Sequence, residues 1–292
     1  MDNSDEELVQ IYLDICRGFS EQDNLRLIHL PYSSEVKTKK DYYRGKDWAL
    51  SRGLKPEDYI IDKDIKSGKW LVSKELHIKN IKKQIEALEL SKRKIKTFDA
   101  IDYIYDSLED LRKDLQEILF ERNSLLINSA EFFANNYYNF YNICNCVQRW
   151  GERWIPMDHE YLDYCEEEKF IEIENFFYKK NTNLSYLNIK KICIQSFFYN
   201  AFNLSDNPFN FFNKPIYKMT NFQVSLMQTA KTFCKIIADS PDIPEKYSKN
   251  PDKVLMYWYA VQNGAAENEQ KIDNVESEIR NSIHKIRGAS LG

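Results

Sequence analysis

Glycine and proline are scarce, at eight each in 292 residues, about half of what average usage gives a chain this long. That scarcity excludes an architecture of many short strands joined by tight turns, and it favours few, long elements. No apolar run reaches the length of a membrane-spanning helix, so no segment reads as one. The six cysteines fall at irregular spacings, which excludes a disulfide framework and leaves reduced thiols. A surplus of basic residues is also missing. The net charge of −4 argues against coating duplex DNA, which needs a broad basic face. The first residues, "MDNSDEELVQ", have neither the basic start nor the apolar run of a signal peptide, so a cytoplasmic site of synthesis is expected. No Walker loop and no GxGxxG occurs, and His29, His77, His159 and His284 fit neither HExxH nor the surroundings of a GxSxG elbow. No cofactor is implied by any of these patterns.

What the chain does have is a hydrophobic content of 43%, with 19 Tyr and 17 Phe. Many of these aromatics sit in runs of helical period, which predicts an aromatic-rich helical core. Leu8, Ile11, Tyr12 and Ile15 share one stripe of a first helix over residues 3–18, with Gly18 as its stop. Residues 19–72 are less regular. "NLRLIHLPY" reads as a short strand with room for one β-hairpin, and "KDWALSRGL" and "PEDYIIDKDI" read as short helices closed by Gly53 and Gly68.

From Ser73 the pattern tightens. Ile78, Ile81, Ile85 and Leu88 recur at spacings of three and four, and so do Ile101, Ile104, Leu108, Leu111, Leu115 and Ile118. Two such seams joined by a short link predict an antiparallel coiled-coil hairpin. Residues 73–96 carry eight Lys or Arg against three Glu, and residues 99–122 carry eight Asp or Glu against three Lys or Arg. Opposite charge on the two arms is expected to pull them together. The link holds Lys92, Arg93, Lys94 and Lys96, a basic tip on an acidic chain.

Further on, Phe133, Tyr137, Phe140, Cys144 and Val147 predict the core face of a helix running to about Gly151. Single helices are expected over 158–178, 186–202 and 219–239, and another opening at Pro251. After Gly264, Ile272, Val275, Ile279, Ile283 and Ile286 form an isolated amphipathic stripe suited to packing or to docking on another chain.

Three clusters invite a chemical reading. Cys144 and Cys146, with His159 and Cys165, offer zinc-type ligands. On one helix, however, the two thiols of "CNC" point about 200° apart, so buried packing thiols are expected. Residues 151–178 carry nine acids against two basic residues. They run consecutively along helix, which fits a solvated face, with acids in a first turn offsetting the dipole. "RWGERW", with Trp150 and Trp154 beside Arg149 and Arg153, is able to stack bases but is expected to be a helix end whose indoles cap the core.

Several phrases carry a resemblance: "SRGL" with "KSGKWLVSKE" before the hairpin, "ERNSLLINSAEFFANNYYNFY", "FYNAFNLSDNPFNFFNKPIYKMTNFQVSLM" and "NPDKVLMYWYA". In these the chain resembles uncharacterised helical proteins of large bacteriophages with contractile tails, over most of residues 50–262. The resemblance implies a viral protein of tail or baseplate assembly, either an accessory or chaperone or a structural component of the virion. It brings no catalytic residues.

The sequence therefore predicts an all-α, non-enzymatic protein of four parts. They are a small N-terminal region (1–72), a projecting hairpin (73–128), an aromatic-rich helical core domain (129–264) and a C-terminal amphipathic helix (265–292). Its expected partners are other phage assembly or structural proteins, with self-association left open and no membrane. A nucleic-acid-binding role is the alternative that the net charge disfavours. Partner contact is assigned to Lys92, Arg93, Lys94 and Lys96 and to Ile272, Val275, Ile279 and Ile283. The expected location is the host cytoplasm, with incorporation into the virion left open.

Overall fold

A computed structural model describes residues 4–31, 34–205, 211–240 and 242–265. Over these residues the chain is mostly helical, with thirteen α-helices and one small sheet. In chain order they are α1 (Asp5–Arg17), β1 (Phe19–Gln22), β2 (Leu25–Ile28), α2 (Glu35–Ser51), α3 (Glu57–Lys66), α4 (Val72–Lys92) and α5 (Asp99–Leu125). There follow α6 (Ala130–Cys146), β3 (Val147–Trp150), β4 (Trp154–Pro156), α7 (His159–Tyr164), α8 (Glu167–Asn183) and α9 (Tyr186–Cys193). Last come α10 (Ser196–Asn203), α11 (Asn221–Asp239), α12 (Glu245–Ser248) and α13 (Pro251–Gln262). The stripe from Ile272 to Ile286 lies outside the described residues.

The described residues cluster as two compact units. One takes the chain up to Val72 and Phe120–Cys234, and the other takes Ser73–Leu119 and the residues from Lys235 onward. The boundary after Val72 falls where the sequence expectation put it, while the hairpin shares its unit with the residues after Cys234.

In the first unit α1 opens with a capping box, in which Ser4 and Glu7 satisfy each other's backbone N–H, and it closes at Gly18 with φ 83°. Both ends are as its sequence predicts. The expected N-terminal hairpin is β1–β2, but it is half of a larger object. β2 also pairs with β3, and β3 with β4, giving an antiparallel sheet in the order β1-β2-β3-β4. The helix expected to run to Gly151 therefore stops at Cys146, and Val147 turns extended at φ −94°, ψ 135°. The physical reason is a hairpin in "VQRWGERWIP". β-Branched and aromatic residues flank a three-residue, Gly-led turn, and Trp150 and Trp154 face each other across it, rings 5.1 Å apart. Trp150 stays half exposed, so these indoles pair across strands instead of capping a core.

Two other expected helices are each broken in two. The 158–178 helix divides into α7 and α8, with Cys165 and Glu166 extended between them. The 186–202 helix divides into α9 and α10 at Ile194 and Gln195. On α6 the most buried residues are Ala130, Ala134, Ile143 and Cys146, whereas Phe133, Tyr137, Phe140 and Cys144 are only half-buried. That half-buried face packs on α2 through a ladder of rings. Trp48 stacks on Phe133 at 4.8 Å, and Tyr137 and Tyr141 continue it. Gly45 permits the approach, since a Cβ there would lie 2.8 Å from Tyr137 Cδ1.

The second unit is built on the predicted seam. Ile101, Ile104 and Leu108 of α5 are buried with Ile95, Tyr247, Met256 and Ala260, and Ile85 and Leu88 of α4 pack against them. So α13 lies on the seam of the hairpin. The seam does not need a second helix alone, because its Ile and Leu side chains also fill against the small Ala260 and the flexible Met256. Opposite arm charges also act differently from expectation. Glu89 of the basic arm pairs with Arg112 of the acidic arm at 2.6 Å, and acidic Asp102 bonds Lys253 of α13 at 2.8 Å. Lys253 holds the Asp102 carboxyl below its usual range. Leu108 is 1% exposed while Leu111 is half-buried, so an unpaired carboxylate is desolvated fully only at the first. Leu108→Asp is expected to cost about 3 kcal/mol or more, Leu111→Asp clearly less, and exposed Lys94→Ala within about 0.5 kcal/mol. Urea denaturation of the three variants checks the order.

Candidate functional site

The first unit contains a chamber of about 210 Å³, bounded by the end of β2 and by α6, α8 and the first turn of α11. Alternation along β2 turns Leu25 and Leu27 inward, each 3% exposed, and His29 takes the next inward position with the same exposure. The chamber is lined there by the consecutive Leu27, Ile28, His29 and Leu30. The helices contribute by i, i+4 spacing: Tyr138, Asn142 and Cys146 from α6, and Phe177 and Asn181 from α8. Asn221 and Phe222 close the remaining side. His29, Cys146 and Phe177 are buried, whereas Tyr138, Asn142, Asn181, Asn221 and Phe222 are half-buried, so the chamber has a closed inner end and a rim.

His29 is held from behind. Its backbone N–H donates to Gly18 O at 3.0 Å, and its Nε2 lies 3.1 Å from Ser20 Oγ, itself buried. Phe222 stands edge-on to the imidazole at 5.1 Å. Nδ1 has no protein partner, and neither does the buried Oδ1 of Asn221. Leaving a buried polar group unpaired costs about 1–3 kcal/mol, and these two atoms are enclosed by neighbouring groups and do not face the open space of the chamber. The residues lining the chamber carry no carboxylate and no ammonium or guanidinium group. Burial alone therefore pushes the His29 pKa down to about 4, and the ring is neutral at pH 7. The Cys146 thiol is pushed up to about 12 by the same desolvation. It is an apolar wall and not a nucleophile. The chamber can hold and orient a ligand by hydrogen bonds, with no charged group at hand for acid–base work.

Residues singled out by sequence are placed elsewhere or differently. Cys144 is half-buried, with its thiol raised to about 11 by desolvation first and by Asp163 next. His159 packs its ring against Tyr141 at 4.7 Å and Phe140 at 5.1 Å. Among the described residues no three His, Cys, Asp or Glu side chains gather as a metal-holding group. The acidic run is divided between helices. Asp158 caps α7 by accepting from Tyr161 N at 2.7 Å, and Glu167 and Glu168 occupy the first turn of α8. In "RWGERW" the Arg149 guanidinium lies over Tyr161 at 4.4 Å, and Arg26 fills the space over Trp154 at 4.1 Å.

The basic tip also changes. Lys92, expected at a partner surface, is 7% exposed and bonds Glu89 at 2.9 Å. It belongs to the hairpin's own Arg112–Glu89–Lys92 cluster. Arg93, Lys94 and Lys96 are exposed, as expected of the tip. Ile272, Val275, Ile279 and Ile283 lie outside the described residues. The chamber itself was missed by sequence reading. Its one local signal is polar Asn142 and Asn181, each a turn along from an aromatic on a helix.

No protein-family model matches this chain, and no curated protein or solved structure matches it either. No helix among the described residues is long and apolar enough to cross a membrane.

The neutral imidazole makes a stability prediction with a defined sign. Its folded pKa of about 4 lies below the unfolded value of about 6.5, so between these pH values the unfolded chain binds the extra proton. This contribution to stability is complete above about pH 6.5 and falls as pH falls toward 4. Urea denaturation at pH 7 and pH 5 should show a loss of about 2 kcal/mol that is absent in His29→Gln.

Proposed function

We propose that this protein acts by binding other proteins and not by catalysis, as an accessory or chaperone in assembling a contractile phage tail or baseplate. Its working place on this reading is the host cytoplasm, with carriage into the virion as a later fate. The observation that carries the reading is how the basic loop after α4 is presented. The Asn263 side-chain amide donates to Arg93 O at 3.0 Å and to Ile95 O at 2.9 Å, and Ile95 is buried in the core beneath. Three exposed cations therefore stand on a backbone fixed at two carbonyls and one apolar anchor. A loop held in this way loses little entropy on docking, and its charge favours an acidic partner, with an affinity that falls as salt rises.

The triple variant Arg93→Glu, Lys94→Glu, Lys96→Glu leaves Ile95 and Asn263 untouched. Its melting temperature should stay close to that of the parent, while capture of an acidic assembly protein from infected cells should drop at least tenfold. The parent's capture should weaken as salt is raised. If the variant recovers the same proteins with the same salt dependence, the loop is not the contact and the reading loses its mechanism.

A further inference from the structure

We propose that Asn263–Gly264 is a deamidation site guarded by the fold of the second unit, and that conversion of Asn263 to aspartate or isoaspartate releases the basic loop after α4. The consequence for partner binding rests on that loop being the contact, whereas the modification and the release do not.

Of the eight glycines, only Gly264 follows an asparagine. A glycine in that position has no Cβ to hinder its own nitrogen, and its backbone turns most freely. Once the Gly264 N–H proton has passed to solvent base, the nitrogen attacks Asn263 Cγ. The N–Cγ bond forms, the Cγ–Nδ2 bond breaks, and Nδ2 takes a proton from water and leaves as ammonia. Water then opens the cyclic imide at one of its two carbonyls, giving aspartate or isoaspartate. Water is the one co-reactant.

In the folded chain three features oppose that step. The Gly264 N–H, whose proton has to leave, donates to Val261 O at 3.0 Å. Asn263 has ψ 10°, which turns the Gly264 nitrogen away from the side-chain carbonyl. Asn263 Nδ2 donates to Arg93 O at 3.0 Å and to Ile95 O at 2.9 Å, so the leaving nitrogen is tied to the loop. Asn263 is nevertheless exposed, and solvent base reaches the backbone whenever the end of α13 opens.

The leaving atom is also the one that holds the loop. An amide carries two N–H donors on that nitrogen, whereas an ionised carboxylate only accepts. After conversion, carboxylate oxygens would face the Arg93 and Ile95 carbonyl oxygens with no hydrogen between them, and neither bond re-forms. The new negative charge also stands beside exposed Arg93, Lys94 and Lys96 and offsets part of their charge. An ageing chain therefore loses both the fixed shape of the loop and some of its attraction for an acidic surface.

The test ages the full chain at pH 8, folded and in urea, and follows the peptide holding residues 263 and 264 by mass spectrometry. The unfolded chain should gain the mass increment of amide-to-acid conversion there, and the folded chain should gain it about tenfold more slowly. Hydrogen exchange at residues 93–96 then reads the loop. Asn263→Asp should speed that exchange about tenfold. Wild-type chain converted by ageing and separated by charge should match it, which carries the test if the variant fails to fold. Binding of a polyglutamate peptide at low salt should fall in the same samples. Loop release with unchanged peptide binding upholds the modification site and overturns the loop as the contact for an acidic partner. Equal conversion rates in folded and unfolded chain, or unchanged exchange at residues 93–96 after conversion, overturn the proposal.

Discussion

Strand β2 is paired on both edges, to β1 across a two-residue turn and to β3 at the far end of α6. That second pairing is what the first unit is organised around. It sets Leu27 opposite Val147 and Leu25 opposite Arg149, and it fixes which residues of β2 face inward, since a slip of one residue would turn every side chain over. In the observed register Leu25, Leu27 and His29 all point into the unit, and Cys146 at the end of α6 meets them there. The pairing also satisfies backbone groups of a strand whose inner face is dry. An apolar strand end and a helix end would otherwise leave these groups in a low-dielectric interior.

A single side chain places the opposite wall. Gln223 is fully buried, and its amide nitrogen donates to Ile15 O and Cys16 O at 3.0 and 3.1 Å. Its amide oxygen accepts from Thr220 N, while Thr220 Oγ1 accepts from Gln223 N, so the start of α11 is capped and tied to the end of α1 together. The bridge between Pro31 and Thr220 and the bond from Asn221 N to Leu30 O bring the segment after β2 to the same place. Asn221 and Phe222 therefore face His29 because two polar knots on either side of them leave little alternative. The second unit works by other means. Its cohesion is an Ile and Leu seam closed by Met256 and Ala260, with Asp102 held by Lys253 and by the Tyr247 hydroxyl.

How legible all this is from the chain follows from the range of the forces involved. α1 is readable because its stop and start are local: Ser4 with Glu7 at one end, Gly18 at the other. The seam of α5 is readable because one periodicity persists over many turns, whatever covers it. What covers it is not readable. Asn263 and Met256 reach the hairpin from a helix far along the chain, and no local pattern announces them. Val147 illustrates the same limit. It continues the stripe of Phe133, Tyr137, Phe140 and Cys144, so helix period alone carries it into α6. Pairing with Leu27 makes it a strand instead. The chamber is the extreme case, since His29, Asn142, Asn181 and Asn221 come from four separated elements and form no motif in sequence order. The role proposed for the chain rests on sequence phrases that hold Asn221 but not His29, Asn142 or Asn181.

Residues 25–27 and 147–149 are neighbours in one sheet, and the chamber, the inward imidazole just past β2 and the end of α6 all depend on that pairing. A methyl-labelled sample reports on it directly. With the methyl groups of Leu27 and Val147 assigned, both being buried and paired across the sheet, a strong nuclear Overhauser effect between them is predicted. Its absence, with each methyl showing strong effects to other groups, would contradict the pairing and the site built upon it.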